Sequence, residues 1–283
     1  MKKILCLFTI LLVFINASFG FEQKDFLSYV QKRAAGFSLK QEEYYVKSLN
    51  QTETEREQAF KKLYANYINY YASIVRDYNK NVGIPFEKEY IKEHKDEYIM
   101  YGLGFNIPEG IWELEEDYTM LLNTPAIPEH WAEWLILQQK YIDRNRKTCT
   151  NYFFRRSSIC EGGTMTISQM EQAIVDLDKV EQKSKVIESI KPQNYDFIPY
   201  TSRELIDTYL MGNDLKPIFN WNKNQLGKLD KKSQKSFEHF IKKHKDSKYW
   251  DVVNEYYKKL KQNDFIYSAY INAWLIDELE SMK

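Results

Sequence analysis

Apolar residues recur at helical spacing along much of the chain. Between Thr54 and Asn81 they fall three or four positions apart, which predicts one long amphipathic helix. Thr54 with Glu57 has the capping-box pattern of a helix start, and Gly83 and Pro85 follow the helix end. Two shorter helices are predicted before it, over 26–36 and 38–49, separated at Gly36.

The same spacing continues through the middle of the chain. It predicts helices over 86–101, 109–122 and 130–146. Pro108 suits the first turn of the second of these, where the missing backbone N–H costs nothing.

Five further helices are predicted in the second half of the chain. They cover 168–190, 201–212, 230–245, 247–261 and 264–282. Ser168 with Glu171 and Thr201 with Glu204 are capping-box patterns, and Pro192 and Pro199 mark 191–200 as a linker or long loop. The last helix is markedly apolar, so we expect it to be packed inside, whereas 214–227 has no clear pattern.

These elements predict an all-α fold, an irregular multi-helix bundle with a small disulfide-pinned loop or hairpin near the middle. The predicted organisation is a signal peptide over 1–20, a helical region over 21–190 and a C-terminal helical region over 191–283 packed on the first. No fixed repeat is present in the sequence.

Residues 1–20 have the pattern of a secretory signal peptide. Lys2 and Lys3 precede an apolar run from Ile4 to Ile15, and the small residues Ala17, Ser18 and Gly20 offer a cleavage site. A run of this length is too short to span a bilayer as a helix. We therefore expect export, to the periplasm or to the medium, and a mature chain without a transmembrane segment.

Cysteine usage agrees with an oxidising compartment. Cys6 lies in the signal peptide, which leaves Cys149 and Cys160 in the mature chain. An even pair in an exported protein is most simply one disulfide, which would stabilise by roughly 3 kcal/mol at best across so short a ring. The rival interpretation is a reactive dithiol, although redox cysteines are usually spaced more closely.

Net charge excludes one class of partner. The chain has 40 basic and 40 acidic residues, and the expected loss of Lys2 and Lys3 leaves the mature chain slightly acidic. Nucleic-acid binding would need a basic surplus, so we expect none. The segment 86–118 is acidic and 223–262 is rich in lysine, which fits either an anionic partner surface or ordinary solvated helix faces.

No metal or cofactor motif is present. The four histidines are His94, His130, His239 and His244. His239 and His244 are five positions apart, which on one continuous helix points them in different directions. We therefore predict no metal site and no cofactor, and a P-loop and a Gly-x-Ser-x-Gly nucleophile elbow are also absent from the sequence.

Two glutamates are speculative catalytic acids. Glu113 follows Trp112, and Glu133 lies between Trp131 and Trp134. A carboxyl shielded by an aromatic ring can hold its proton at neutral pH, as a glycosidase general acid requires. A chain with 40 acidic residues also places some of them beside tryptophans by chance, so these two pairs are not by themselves evidence of catalysis.

Aromatic residues are unusually frequent, with 22 Tyr, 16 Phe and 6 Trp. In 64–71 tyrosines cover more than one face of the predicted helix, so some hydroxyls are expected to reach solvent or a partner. A tyrosine-rich core is the simpler interpretation.

Together these features predict an exported, non-catalytic helical interaction protein of the bacterial envelope, or one secreted from it. Its partner would be a protein or an envelope component, and the sequence leaves the oligomeric state open. The alternatives are a helical cell-wall glycan hydrolase or lyase that uses Glu113 or Glu133 as general acid, and a host-directed secreted factor.

Overall fold

A computed structural model describes residues 23–81, 88–106, 113–148, 166–190, 201–212, 217–221 and 226–282. These residues are mostly helical, as predicted, and divide into two compact units. The N-terminal unit extends to Ile127, and the C-terminal unit starts at Pro128.

The described part of the N-terminal unit contains four helices and one antiparallel β-hairpin. They are α1 Gln23–Ser48, α2 Glu53–Asn81, α3 Lys88–Met100, β1 Leu103–Asn106, β2 Glu113–Glu116 and α4 Thr119–Leu122.

Helix α1 is continuous, so the predicted break at Gly36 is wrong. The helix buries Val30, Ala34 and Phe37 in the core of the unit and packs on α2. Glycine within a helix costs about 1 kcal/mol, and this packing outweighs that penalty. The next helix begins two residues earlier than a cap at Thr54 would place it, because the capping pair is Thr52 with Glu55 rather than Thr54 with Glu57.

In the described part of the helix predicted over 109–122, from residue 113 onward, only Thr119–Leu122 is helical. Residues Glu113–Glu116 instead form β2, which pairs with β1 in the register Leu103↔Glu116 and Phe105↔Leu114. The hydroxyl of Tyr67 lies 2.9 Å from both the Gly102 and Asp117 carbonyls, at the two chain ends of this hairpin. The carbonyls of Gly102 and Asp117, which flank the two strands, are thus held against α2 by one side chain.

The described part of the C-terminal unit contains seven helices and one short hairpin. They are α5 Glu129–Thr148, α6 Ile167–Lys183, α7 Lys185–Glu188, α8 Ser202–Met211, β3 Phe219–Asn220, β4 Lys228–Leu229, α9 Lys231–Lys243, α10 Trp250–Gln262 and α11 Ala269–Ser281.

Helix α6 is the central element of this unit, because it packs on α5, α8 and α9. Its capping box is formed by Thr166 and Gln169, not by Ser168 and Glu171. The helix is interrupted at Ser184, which caps α7. The predicted cap of Thr201 on Glu204 is confirmed at the start of α8.

Helix α11 is only partly buried, which corrects the prediction that it lies inside. Ile271, Leu275 and Leu279 form one buried stripe, while Tyr270 and Ile276 are exposed. An apolar helix at the end of a unit thus covers the core with one face and presents the other face to solvent.

The division of the chain differs from the predicted one at 190/191. Helix α6, before that position, packs on α8 and α9, after it, within the C-terminal unit. The predicted signal peptide, the Cys149–Cys160 loop and the 191–200 linker lie outside the described residues. In the described part of the chain, no helix combines the length and apolarity that membrane crossing requires.

Candidate functional site

The two speculative catalytic acids lie in different units. Glu113 lies in β2 and is paired through its backbone with Asn106. Glu133 lies on α5, where its side chain is more than one-third exposed and its two carboxylate oxygens lie 2.9 and 3.2 Å from the Lys183 ammonium. A groove of about 480 Å³ lies between α1 and α2 and is lined by both charged and apolar side chains, among them Lys40, Glu43 and Leu63.

The tyrosines of α2 are core residues. Tyr64, Tyr67, Tyr70 and Tyr71 are all buried. Tyr70 donates to the Tyr101 carbonyl at 2.8 Å, and burial raises the pKa of Tyr67 well above its usual range. The exposed hydroxyls expected on this segment are therefore not found, and backbone carbonyls of the same unit accept from Tyr67, Tyr70 and Tyr71.

A different part of the chain exposes aromatic residues. Five large side chains of the C-terminal unit are exposed around β3, β4 and the start of α11. We call them the apolar surface; they are Trp221, Leu226, Ile266, Tyr267 and Tyr270. Tyr270 is 81% exposed. Aromatic rings in this state are unfavourable in water and are typical anchors of protein interfaces.

Backbone hydrogen bonds hold the apolar surface in place. The Tyr267 N–H donates to Gly227 O, the Leu229 N–H donates to Phe265 O, and Ile266 pairs with Lys228 across a β-bridge. The Trp221 and Tyr267 rings meet edge to face with centroids 5.5 Å apart. Trp221, Ile266 and Tyr267 are therefore held in place by contacts within the C-terminal unit.

Helix α6 carries three buried acids on its core-facing side. Glu171, Asp178 and Glu181 are spaced by seven and three positions, which places them on one face. They form two separate clusters with residues of the helices that follow.

The Asp178–Glu181 cluster is an ionic network in which Asp178 Oδ1 has only the Lys248 ammonium nearby, at 3.8 Å, and no hydrogen bond. The Lys248 N–H donates to Asp178 at 3.0 Å, and the Lys248 ammonium lies 3.1 Å from Glu181 Oε2. The Ser202 N–H donates to Glu181 Oε1 at 2.8 Å, and the Ser202 hydroxyl contacts both Glu181 and Tyr249. Because these acids have lysine, amide and hydroxyl partners, the cluster serves to join α6, α8 and α10.

The Glu171 cluster brings together the two histidines that the sequence separated. Glu171 Oε1 lies 2.5 Å from His239 Nδ1 and 3.2 Å from His244 Nε2. The prediction that these rings point apart is wrong, because α9 ends at Lys243. His244 is the C-cap, with φ −117° and ψ 47°, and its ring turns back toward α6.

Burial differs sharply within this Glu171 cluster. The Glu171 side chain is only 5% exposed, that of His244 is 17% exposed, and that of His239 is 57% exposed. Desolvation lowers the pKa of His244, partly offset by the attraction of the Glu171 carboxylate. The cluster is thus anchored in the core at Glu171 and opens to solvent at His239.

The second oxygen of Glu171 is oriented by a hydroxyl relay. The Ser236 hydroxyl donates to Glu171 Oε2 at 2.6 Å, and the Tyr209 hydroxyl lies 3.0 Å from Ser236 Oγ. No sequence motif marks this arrangement. The only available signal was the presence of two histidines at the predicted end of one helix.

Comparison with protein-family models, with curated proteins and with solved structures finds no significant match to this chain. Function must therefore be inferred from the surfaces and clusters described above.

Proposed function

We propose that this chain is an exported, non-catalytic protein that binds a partner protein through its apolar surface. The supporting observation is the exposure of Trp221, Tyr267 and Tyr270 on a hydrogen-bonded framework. Burial of apolar area is worth about 25 cal/mol per Å². A rigid aromatic cluster loses little conformational entropy on binding, so more of that energy appears as affinity.

The surrounding charges define the chemistry of the partner. Lys228 and Lys231 are exposed on and beside β4, and Lys261 is exposed near the end of α10. A complementary protein surface would have an apolar centre and a mixed rim, with acidic residues opposite these lysines and basic residues opposite the exposed Asp264, Asp277 and Glu278. An anionic membrane is less suitable, because the exposed side of α11 carries Asp277 and Glu278, which acidic lipid would repel.

Photo-cross-linking in the cells that make the protein tests this proposal. A photoreactive residue replaces Tyr270 in one variant and Lys235, an exposed polar position of the same unit, in a control variant. We expect a discrete adduct with another protein at position 270 only, lost when Trp221→Ala is added. Absence of an adduct at position 270 would contradict the proposal.

The captured protein is then purified and titrated with the chain. Tyr270→Ala and Trp221→Ala should each weaken binding at least tenfold, the loss typical of interface anchors, whereas Lys235→Ala should not. Equal affinity for all variants would show that the adduct was adventitious. An adduct with twice the mass of the chain would instead identify a second copy as the occupant.

Vesicle flotation distinguishes a membrane from a protein partner. The chain is mixed with neutral vesicles and with vesicles rich in acidic phospholipid. We expect it to remain unbound in both. Binding to the acidic vesicles that is lost in Tyr270→Ala would replace the partner protein with a lipid surface.

The alternative, a cell-wall glycan hydrolase or lyase, has a direct assay. Purified chain is incubated with cell-wall sacculi, and the supernatant is analysed by mass spectrometry for released fragments. We expect no release. Time-dependent release that disappears in Glu113→Gln or Glu133→Gln would contradict the non-catalytic proposal and establish the enzyme.

A further inference from the structure

We propose that Glu171, His239 and His244 form a binding site for one divalent transition-metal ion, with Zn²⁺ as the expected occupant. This inference is independent of the proposed partner binding, because none of the three residues belongs to the apolar surface. It rests on ligand chemistry, ligand spacing, support of the ligands and access from solvent.

The ligand chemistry is that of zinc. Two imidazole nitrogens and one carboxylate oxygen are a recurrent protein ligand set for Zn²⁺, with a fourth position left for water. The set contains no thiolate, and it has more nitrogen than Mg²⁺ or Ca²⁺ prefers.

The spacing is close to that of a formed site. The three ligand atoms all lie within 4.8 Å of one another. Two ligands of a tetrahedral zinc ion are separated by roughly 3.3 Å, given metal–ligand bonds of about 2.0 Å. Glu171 Oε1 and His244 Nε2 already have nearly that separation, at 3.2 Å. His239 Nδ1, 2.5 Å from the same oxygen, must move outward by about 0.8 Å to reach that separation, and its side chain has solvent on its outer side because it is 57% exposed.

Neighbouring side chains hold the inner ligands in position. Ser236 donates to the Glu171 oxygen that faces away from the histidines, at 2.6 Å. Phe240 packs edge to face against the His244 ring, with centroids 5.3 Å apart. Such supporting contacts are typical of metal sites, because they reduce the reorganisation that binding requires.

The site is reached through His239. Its side chain is 57% exposed, so an ion and a water molecule can approach without any opening of the core. The exposed Lys242 and Lys243 next to the site disfavour a bare cation, whereas an anionic fourth ligand would be favoured beside them.

Zinc titration of the purified full chain, without a histidine tag, tests the site. Competition with a chromophoric chelator should give one tightly bound Zn²⁺ per chain. His239→Ala should weaken binding more than about 100-fold without loss of the fold, since this residue is exposed, and Ser236→Ala should weaken it by about tenfold or more. His94→Ala, a histidine of the N-terminal unit, should have no effect.

Two further measurements remove ambiguity. Circular dichroism of each variant establishes that weaker binding is not unfolding. The double variant Cys149→Ser, Cys160→Ser should bind Zn²⁺ as the parent chain does. Loss of binding in the cysteine variant, equal binding by His239→Ala and parent, or no binding by the parent chain would each overturn the proposed site.

Substitution with Co²⁺ reports on the coordination. Four-coordinate Co²⁺ with nitrogen and oxygen ligands absorbs visible light far more strongly than six-coordinate Co²⁺. We expect the strong visible bands in the parent chain and their loss in Glu171→Gln or His244→Ala. The weak spectrum of a six-coordinate ion in the parent chain would contradict the site as proposed.

Discussion

The hydroxyl of Tyr67 joins three backbone segments of the N-terminal unit. Tyr67 is fully buried on α2, and its hydroxyl lies 2.9 Å from the carbonyls of both Gly102 and Asp117. These carbonyls belong to the residues that immediately precede and follow the β1–β2 hairpin. A single atom thus fixes both chain ends of the hairpin against the helix.

Tyr67→Phe tests the contribution of that hydroxyl. The hydroxyl shares one proton between the two carbonyls, and the Gly102 carbonyl also accepts from the Asp117 N–H at 3.1 Å. Loss of the hydroxyl therefore leaves mainly the Asp117 carbonyl without a donor, and we expect the free energy of unfolding to fall by about 1–3 kcal/mol. Chemical denaturation measures the change, and Tyr45→Phe, at an exposed position of α1, should be within experimental error of the parent chain. Equal stability of both variants would show that the carbonyls find other donors.

Glu204 should make stability depend on pH. It is the first-turn acid of α8, where desolvation by burial raises its pKa from 4.5 to about 7. Because the pKa of Glu204 is higher in the folded state than in the unfolded state, the folded state binds its proton more tightly. The resulting contribution to the free energy of unfolding is complete below pH 4.5 and is lost as the pH rises through 7.

Glu204→Gln removes this dependence. Glutamine is neutral at every pH, so we expect the variant to be more stable than the parent chain by about 3 kcal/mol at pH 8 and nearly equal at pH 4. Denaturation at both pH values measures the difference, with Glu129→Gln, an exposed acid on α5, as control. A stability difference independent of pH would contradict the assignment.

Two glycines have opposite roles in their elements. Gly36 lies inside α1, where an added Cβ would meet nothing within 4 Å. Gly102 lies in the turn between α3 and β1 with φ +75°, and an added Cβ would lie 2.8 Å from the Tyr67 ring. The left-handed backbone and the steric clash make glycine necessary at position 102 in the turn. Neither applies at position 36, so the helix does not require glycine there.

Alanine substitution separates the two positions. Gly36→Ala should raise the free energy of unfolding by about 0.5–1 kcal/mol, because alanine favours the helix. Gly102→Ala should lower it by at least about 1–3 kcal/mol. Thermal unfolding followed by circular dichroism compares both with the parent chain, and destabilisation by Gly36→Ala would mean that α1 is not continuous.

At the scale of the whole molecule, the predicted disulfide between Cys149 and Cys160 can be tested separately. Cys149 and Cys160 lie outside the described residues, and their pairing rests on the expected export. Protein from its native compartment should gain about two mass units on reduction, one proton for each thiol. Two free thiols in protein collected with an alkylating agent would contradict both the bridge and the oxidising destination.

The predictability of the fold varied with the range of the interactions involved. Helix α2 and the cap of α8 follow from local patterns, and both appear in the structure. The strand Glu113–Glu116 was predicted as a helix. Short apolar runs fit either state, and here pairing with β1 and hydrogen bonds from α2 determine the outcome.

The sequence by itself determined the helical class, most helix positions and the presence of a charge-balanced chain rich in tyrosine. Tertiary structure alone decided which side chains meet. His239 and His244 would diverge on a continuous helix, and the end of α9 at Lys243 turns His244 back onto Glu171, beside His239. The tertiary structure also decided which tyrosines are exposed: Tyr270 is exposed, whereas Tyr67 is buried. The physical reason is that helix periodicity is local, whereas the closure of a side-chain cluster depends on contacts between distant segments.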